Sequence, residues 1–136
     1  MRDKTHLYLL TMFIVFIISC EYFDSRLRII NMTKNPIVVE TFSDSINMKV
    51  NNHTEYYLSN IIVEGGIINL TESGINGWPF FVRRSKNKRL NICIFNADTL
   101  KKYQSINLLI NSKMYKKYSF TEEELLKMGW VVTVSQ

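Results

Sequence analysis

Few side chains in this sequence could act in acid–base, nucleophilic or metal chemistry. Its 136 residues include two histidines and two cysteines, and His53 has no cysteine or second histidine close to it. A zinc site needs three or four suitably spaced ligands, so we predict no metal site and no cofactor. No Gly-x-Ser-x-Gly elbow is present, although a Ser-His-Asp arrangement could still be assembled from distant residues. The sequence therefore predicts a protein without catalytic residues.

The consecutive carboxylates of Glu122, Glu123 and Glu124 are better explained by helix capping than by catalysis. Glycosidases use two carboxylates that face one cleft from separate elements, whereas neighbours on one helical turn point in different directions. Thr121 followed by Glu124 forms a capping box, and acidic side chains favour the positive end of a helix. We predict a helix that begins after Thr121 and stops at Gly129.

A second charged group is the run Arg83-Arg84-Ser85-Lys86-Asn87-Lys88-Arg89. With Lys113, Lys116 and Lys117 it could form a patch for an anionic glycolipid or polysaccharide. The favoured alternative is a solvated hairpin tip, whose charges prevent aggregation through strand edges. No nucleic-acid motif or aromatic interleaving accompanies these charges, so we expect no nucleic-acid partner.

Two apolar segments are predicted to be core. Cys93 lies in residues 90–95, which have the composition of a buried strand, so a small inert core residue is expected rather than a reactive thiol. Trp78, Phe80 and Phe81 could stack on a sugar, but aromatic residues in a short strand of a small domain are more often core.

The N-terminus has the composition of a secretory signal. Residues 1–6 form a short positive head, and residues 7–18 form an apolar run broken only by Thr11. A membrane-spanning helix needs roughly 20 apolar residues, so this run is too short for a permanent span. We predict a cleaved leader over residues 1–19.

The motif Ile17-Ile18-Ser19-Cys20 resembles the lipobox of bacterial lipoproteins. The resemblance implies diacylglyceryl transfer to the Cys20 sulfur, cleavage between Ser19 and Cys20, and acylation of the new amino terminus. Each buried methylene contributes about 0.8 kcal/mol, and two or more chains hold a protein firmly on a membrane. The alternative is an ordinary secretory signal in which Cys20 is incidental or awaits a disulfide.

After the leader, the predicted organisation is a lipidated tether over residues 20–25 and a single domain over residues 26–136. The formal net charge of +5 is modest and implies no particular partner. The predicted fold is mainly β, a small antiparallel β-sandwich-like domain with two short helices in its C-terminal third. The strand candidates are residues 27–32, 37–42, 56–58, 61–63, 67–70, 78–82, 90–95, 114–118 and 130–134. The first two are expected to form a hairpin, and Asp98 is expected to cap a helix over residues 98–103.

The segment 92–134 resembles the C-terminal part of small lipoproteins of Bacteroides-type bacteria. The similarity is carried by Phe95, Asp98-Thr99-Leu100, Tyr103, Lys117-Tyr118, Thr121, Leu125 and Gly129-Trp130. Residues 27–38 are similar to the opening hairpin of that group. The resemblance implies a lipid-anchored protein of the cell envelope in the outer membrane. It leaves both the periplasmic and the surface face of that membrane as alternatives. It also implies O-glycosylation at Asp44-Ser45-Ile46 or Asp98-Thr99-Leu100; Ser45 is the better acceptor, because Asp98-Thr99 is better explained as a helix cap.

These observations favour a membrane-anchored envelope protein with a non-enzymatic binding or accessory role. Its expected partners are the membrane, through the lipid on Cys20, and another envelope protein or a glycan. One alternative is a lipid-anchored immunity or inhibitor protein. A second is a small hydrolase, which a cleft where a serine, aspartate or glutamate meets His53 would favour and a closed core would dismiss.

Overall fold

The computed structural model describes residues 22–44 and 53–135. These residues form a mainly β domain with several short helices, which confirms the predicted fold class. The leader, Ser19, Cys20 and Ser45 lie outside the described residues, so cleavage, lipidation and glycosylation of Ser45 stay predictions. In the described part of the chain, no helix has the length and apolarity needed to cross a bilayer.

Six strands form two three-stranded sheets. The strands are β1 Phe23–Asn31, β2 Ile37–Phe42, β3 Ile67–Ser73, β4 Arg89–Asn96, β5 Lys116–Thr121 and β6 Val131–Val134. The first sheet has the order β3-β1-β6, and the second has the order β2-β4-β5. All pairs are antiparallel except β1 with β6, which departs from the predicted antiparallel pattern.

Five helices accompany the sheets in the described residues. They are α1 Thr54–Ser59, α2 Gly77–Arg84, α3 Ala97–Tyr103, α4 Ile106–Asn111 and α5 Glu122–Lys127. Three of them lie in the C-terminal third, where two are predicted. The additional one is α4, whose first turn is closed by a hydrogen bond from the Leu108 N–H to the Ser105 hydroxyl.

Two hydrophobic cores form on the two faces of β4. On one face, Leu90 and Ile92 pack with Leu27 and Ile29 of β1, and this contact joins the sheets. On the other face, Cys93 and Phe95 pack against residues of α1, α3 and α4. Because side chains alternate along a strand, β4, whose residues 90–95 are apolar except for Asn91, supplies both cores. The molecule therefore has three layers, namely a sheet, a second sheet and a group of helices.

The prediction of a hairpin between residues 27–32 and 37–42 is wrong, because β1 and β2 belong to different sheets. Asn31 organises the crossing from one sheet to the other. Its buried side-chain amide donates to the carbonyls of Asn35 and Ile62, each at 2.9 Å, and its Oδ1 accepts from the Thr33 N–H at 2.9 Å. These bonds hold the turn that follows β1 against the segment that contains Ile62. The segment 61–63 contributes a single bridge, between Ile62 and Ile37.

Two other strand predictions are also wrong. Residues 56–58 lie in α1, and residues 78–82 lie in α2. Trp78 and Val82 are buried four residues apart, as the inner face of a helix requires. A short aromatic run has too few residues for its period to distinguish a helix from a strand.

The helix caps agree with the sequence at α5 and differ at α3. Thr121 and Glu124 form the predicted capping box, with bonds of 3.2 Å and 2.7 Å. The helix stops at Gly129, whose φ is +62°, in a motif that pairs the Trp130 N–H with the Leu125 carbonyl at 2.8 Å. At α3 the cap is Asn96 rather than Asp98, because the helix begins at Ala97, two residues earlier than a cap at Asp98 would place it.

The beginning of β1 is tied to the beginning of α2 by Asp24. This carboxylate is buried and accepts from the Trp78 N–H at 3.1 Å and from the Arg26 side chain at 2.8 Å. It satisfies a helix N–H that Asn76, the residue at the cap position, leaves unpaired. Strand β1 thus starts inside the predicted tether of residues 20–25, and the ordered fold comes close to Cys20.

We predict that Asp24→Ala lowers the free energy of unfolding by at least about 2 kcal/mol, because the buried Trp78 N–H loses its acceptor and Arg26 loses its ion pair. Urea denaturation followed by tryptophan fluorescence measures the change. Asp98→Ala is the matched control, since Asp98 is exposed and pairs only with Lys101 at 3.2 Å; its cost should stay below about 1 kcal/mol. Equal costs for the two variants would contradict the role assigned to Asp24.

Candidate functional site

The basic run does not form the predicted hairpin tip. Arg83 and Arg84 end α2, and residues 85–88 connect that helix to β4. The prediction is wrong because α2 replaces the expected strand, as its buried face dictates. The run lies at the end of the domain where α2 meets α5.

The five cations of this run have different environments. Arg83 forms two bonds with Glu122, at 2.7 and 2.6 Å, and the pKa of Arg83 is raised and that of Glu122 lowered chiefly by this hydrogen bonding. Arg89 contacts Glu124 at 3.1 Å. The Arg84 guanidinium lies 5.0 Å from the centre of the Phe80 ring. The ammonium group of Lys88 donates to the Arg83 carbonyl, and the backbone N–H of Lys86 donates to Asp44 at 2.8 Å. In this run, therefore, Arg83 and Arg89 form ion pairs. The side chains of the other three cations, Arg84, Lys86 and Lys88, form no ion pair among the described residues.

Of the other predicted site residues, Trp78 and Phe81 meet edge to face, with ring centroids 5.5 Å apart, whereas Thr99 and His53 lie in other parts of the fold. Thr99 is in the first turn of α3, where its N–H and hydroxyl both donate to the cap residue, Asn96, rather than to the predicted cap, Asp98. Trp78 is buried and Phe81 is partly buried, but Phe80 is exposed, which corrects its assignment to the core. His53 is exposed immediately before α1. In residues 22–44 and 53–135, no three metal-ligating side chains come together.

Cys93 is fully buried between β4 and the helices, as predicted. Burial raises the pKa of its thiol to about 11. Because the thiolate is the reactive species, Cys93 is inert near neutral pH.

A cleft lies where the free edges of the two sheets approach each other. Residues 38–41 of β2 form one wall, and residues 68–71 of β3 form the other. Tyr56 and Tyr57 of α1 close one side, and Trp78 closes the base. The cavity measures about 240 Å³. Both β2 and β3 are edge strands, so the cleft is a gap between two sheets rather than a loop pocket.

A carboxylate and a phenol meet in the cleft. The buried Tyr57 hydroxyl donates to Glu40 Oε2, and Glu40 Oε1 accepts from the Thr41 N–H at 3.0 Å. Burial raises the pKa of Tyr57, and its hydrogen bond to Glu40 raises it further. The pair is held in one orientation, since each carboxylate oxygen has a protein donor.

Other polar side chains on the rim are available for a ligand. Asn69 and Thr71 line the cleft from the exposed face of β3, opposite Ile68 and Leu70, and their side chains bond to no described residue. The ring of Tyr56 is exposed and meets Tyr57 edge to face, with centroids 5.4 Å apart. Trp78 contributes an apolar floor, while its ring N–H is already bonded to the Leu70 carbonyl at 3.0 Å. The cleft thus combines an apolar ring, an amide, a hydroxyl and one fixed carboxylate.

Among the described residues, the cleft lining contains Glu40 but not His53. Glu40 is the single carboxylate of the cleft lining, whereas glycoside hydrolysis uses two. His53 is not part of the lining, so the serine or carboxylate partner that a hydrolase needs does not meet it there.

Sequence reasoning missed this cleft because α1 was assigned as a strand and the gap depends on two strands of different sheets. The available signals were Glu40 within the apolar segment 37–42 and the Tyr56-Tyr57 pair. Neither signal states which elements will be neighbours in space.

We predict that Tyr57→Phe lowers the free energy of unfolding by about 1.5–3 kcal/mol at neutral pH, since it removes a hydrogen bond to a charged group. Because folding raises the Tyr57 pKa, the contribution of its neutral hydroxyl is complete below pH ~10, the value in the unfolded chain, and is lost as the pH rises above it. Denaturant titrations of both proteins from neutral to alkaline pH measure the difference.

Tyr115→Phe is the control for this change, because the hydroxyl of Tyr115 bonds to no described residue and its ring packs on Phe95. It should change stability by less than about 0.5 kcal/mol at every pH. A Tyr57→Phe effect no larger than that of the control would contradict the assigned hydrogen bond.

Comparison with known proteins assigns no family to the chain. It matches no protein-family model, no curated protein and no solved structure. The resemblance of Ile17-Ile18-Ser19-Cys20 and of residues 92–134 to bacterial lipoproteins stays a prediction.

Proposed function

We propose that this protein is a lipid-anchored component of the bacterial cell envelope with a non-enzymatic binding role, and that its cleft holds a short segment of an envelope glycan. The observation that carries the binding role is the cleft lining, where an exposed aromatic ring stands beside unengaged amide and hydroxyl groups. The anchoring role is supported by the leader and by Ile17-Ile18-Ser19-Cys20.

The cleft has the groups that a sugar ring needs. A sugar presents hydroxyls at its edge and C–H groups on its faces, so it is recognised by a few placed polar groups beside an aromatic surface. Asn69 and Thr71 supply the polar groups, and Tyr56 supplies the aromatic surface. Glu40 keeps acceptor capacity on oxygens already oriented by Tyr57 and Thr41. The volume suits one or two sugar units rather than a folded partner.

An added peptide strand fits the same cleft less well. Strand addition needs a row of free backbone groups along an edge. On β2 the N–H and carbonyl of Ile37 already pair with Ile62, at 3.0 and 2.8 Å, and the N–H of Thr41 is bonded to Glu40. Both ends of the free edge of β2 are therefore occupied. Between them, only the backbone groups of Val39 point away from β4. This arrangement favours a small polar ligand over an extended chain.

The anchor is tested by growth with a clickable palmitate analogue. We expect label on the wild type and on Cys93→Ala, which keeps the first cysteine, and no label on Cys20→Ala. Protease treatment of intact cells then distinguishes the outer face from the periplasmic face. An unlabelled wild type would refute lipidation of Cys20.

The cleft is tested by calorimetric titration with oligosaccharides released from bacterial capsule and lipopolysaccharide. Tyr56→Ala and Asn69→Ala should each weaken binding roughly tenfold or more, equivalent to about 1.4 kcal/mol. Tyr103→Ala and Asn87→Ala are the controls, since both residues are exposed outside the cleft. Equal weakening by the controls, or a folded wild type that binds none of the oligosaccharides, would refute the glycan assignment.

A further inference from the structure

We propose that the end of the domain closest to Cys20 lies directly on the membrane, with Tyr22, Phe23, Ile75 and Phe80 in the headgroup region and Arg84 against anionic headgroups. We call these five residues the anchor face. The inference rests on the proposed lipid anchor and goes beyond it, because an anchor alone would allow the domain to stand away from the bilayer.

The length of chain before the fold is the first argument. A single residue, Glu21, separates Cys20 from Tyr22. Two residue steps span at most about 7 Å. The Tyr22 carbonyl accepts from the Gly74 N–H at 2.6 Å, and Phe23 pairs with Ser73 in the sheet. The fold is therefore fixed within two residues of the acylated cysteine, and this end cannot move far from the bilayer surface.

The exposed apolar side chains at this end are the second argument. Tyr22, Phe23, Ile75 and Phe80 are 64, 54, 67 and 57% exposed. They belong to the start of β1, the turn after β3 and the outer side of α2. The bonds of Asp24 to Trp78 and of Arg26 to the Ile75 carbonyl, at 3.1 and 3.0 Å, hold these three segments together. Tyr22 has the amphipathic ring that is favoured at membrane interfaces, and the other three side chains supply apolar surface that a bilayer can bury.

The orientation of α2 is the third argument. Trp78 and Val82 face the core, so Phe80 and Arg84 lie on the opposite side of the helix. The helix begins beside Asp24, and near its other end Arg83 bonds to Glu122, so it crosses the end of the domain. A helix with aromatic and cationic residues on its outer side is suited to lie in the plane of a membrane surface.

Charge complementarity identifies the partner as an anionic lipid surface. All three glutamates of α5 are already paired with cations, by Arg83, Arg89 and Lys127. The side chains of Arg84, Lys86 and Lys88 form no ion pair among the described residues, and the Asp44 carboxylate is bonded to the backbone N–H of Lys86. An excess of cations beside exposed aromatics attracts anionic headgroups within a Debye length.

The inference is tested with single labelled cysteines on the purified, acylated protein. Acylation occupies the sulfur of Cys20, and Cys93 is buried, so a new surface cysteine is the reactive thiol. Ile75→Cys and Phe80→Cys place a polarity-sensitive fluorophore on the anchor face. Val63→Cys and Ile67→Cys are matched controls of similar exposure, 61 and 60%. Ile67 pairs with Ile30, roughly 20 Å further along β1 from the anchor.

The labelled proteins are reconstituted in vesicles of phosphatidylethanolamine and phosphatidylglycerol that carry spin-labelled lipid. We expect a blue shift and several-fold stronger quenching at positions 75 and 80 than at positions 63 and 67. Suppose that the protein still floats with the vesicles, but quenching at positions 75 and 80 is absent or no stronger than at positions 63 and 67. That result overturns this inference and leaves the lipid anchor intact. Protein that does not float with the vesicles overturns the anchor and this inference together.

The charge contribution is tested by combining Arg84→Gln, Lys86→Gln and Lys88→Gln in the Ile75→Cys protein. Quenching at position 75 should fall toward the value measured in phosphatidylcholine vesicles, and high salt should lower the wild-type value in the same way. The control combines Lys101→Gln, Lys102→Gln and Lys113→Gln, three exposed lysines away from the anchor face. Equal loss in the two triple variants overturns the assignment of anionic lipid.

Discussion

Strand β4 is buried on both faces, and the three layers of the domain depend on that burial. Its inward residues Leu90 and Ile92 join the two sheets, while Cys93 and Phe95 hold the helices. The same strand also contains a buried amide, Asn91, which donates to the Asp44 carbonyl and accepts from the Ser119 hydroxyl, each at 3.0 Å. These bonds tie β4 to the end of β2 and to β5. A polar group at this depth remains favourable because both of its ends are bonded.

Long apolar strands and local caps could be predicted from the sequence because their causes are local. The run from Leu90 to Phe95 indicates a buried strand, and Thr121 with Glu124 indicates a helix start, whatever the rest of the chain does. Gly129 likewise marks a helix end through its positive φ.

Features that depend on distant partners were not predictable in the same way. The hairpin prediction failed because the amide of Asn31 finds its partner at Ile62, far along the chain. The prediction of a strand over residues 78–82 failed because the position of α2 is set by contacts with β3 and Asp24. A Cβ at Gly77 would lie 2.8 Å from the Glu72 carbonyl oxygen, so this glycine is needed for the close approach. The cleft combines both difficulties, since it requires the position of α1 and the spacing of two strands that belong to different sheets.

The central position of β1 has a mechanical consequence. Strand β1 is flanked by β3 on one side and by β6 on the other, and its first residue, Phe23, follows closely after Cys20. Tension applied at Cys20 would act along the strand, at right angles to the hydrogen bonds of its antiparallel pair with β3. Those bonds would be loaded together in shear, instead of being opened one at a time as in the peeling of an edge strand. The domain is thereby built to resist extraction forces that pull on its amino-terminal end.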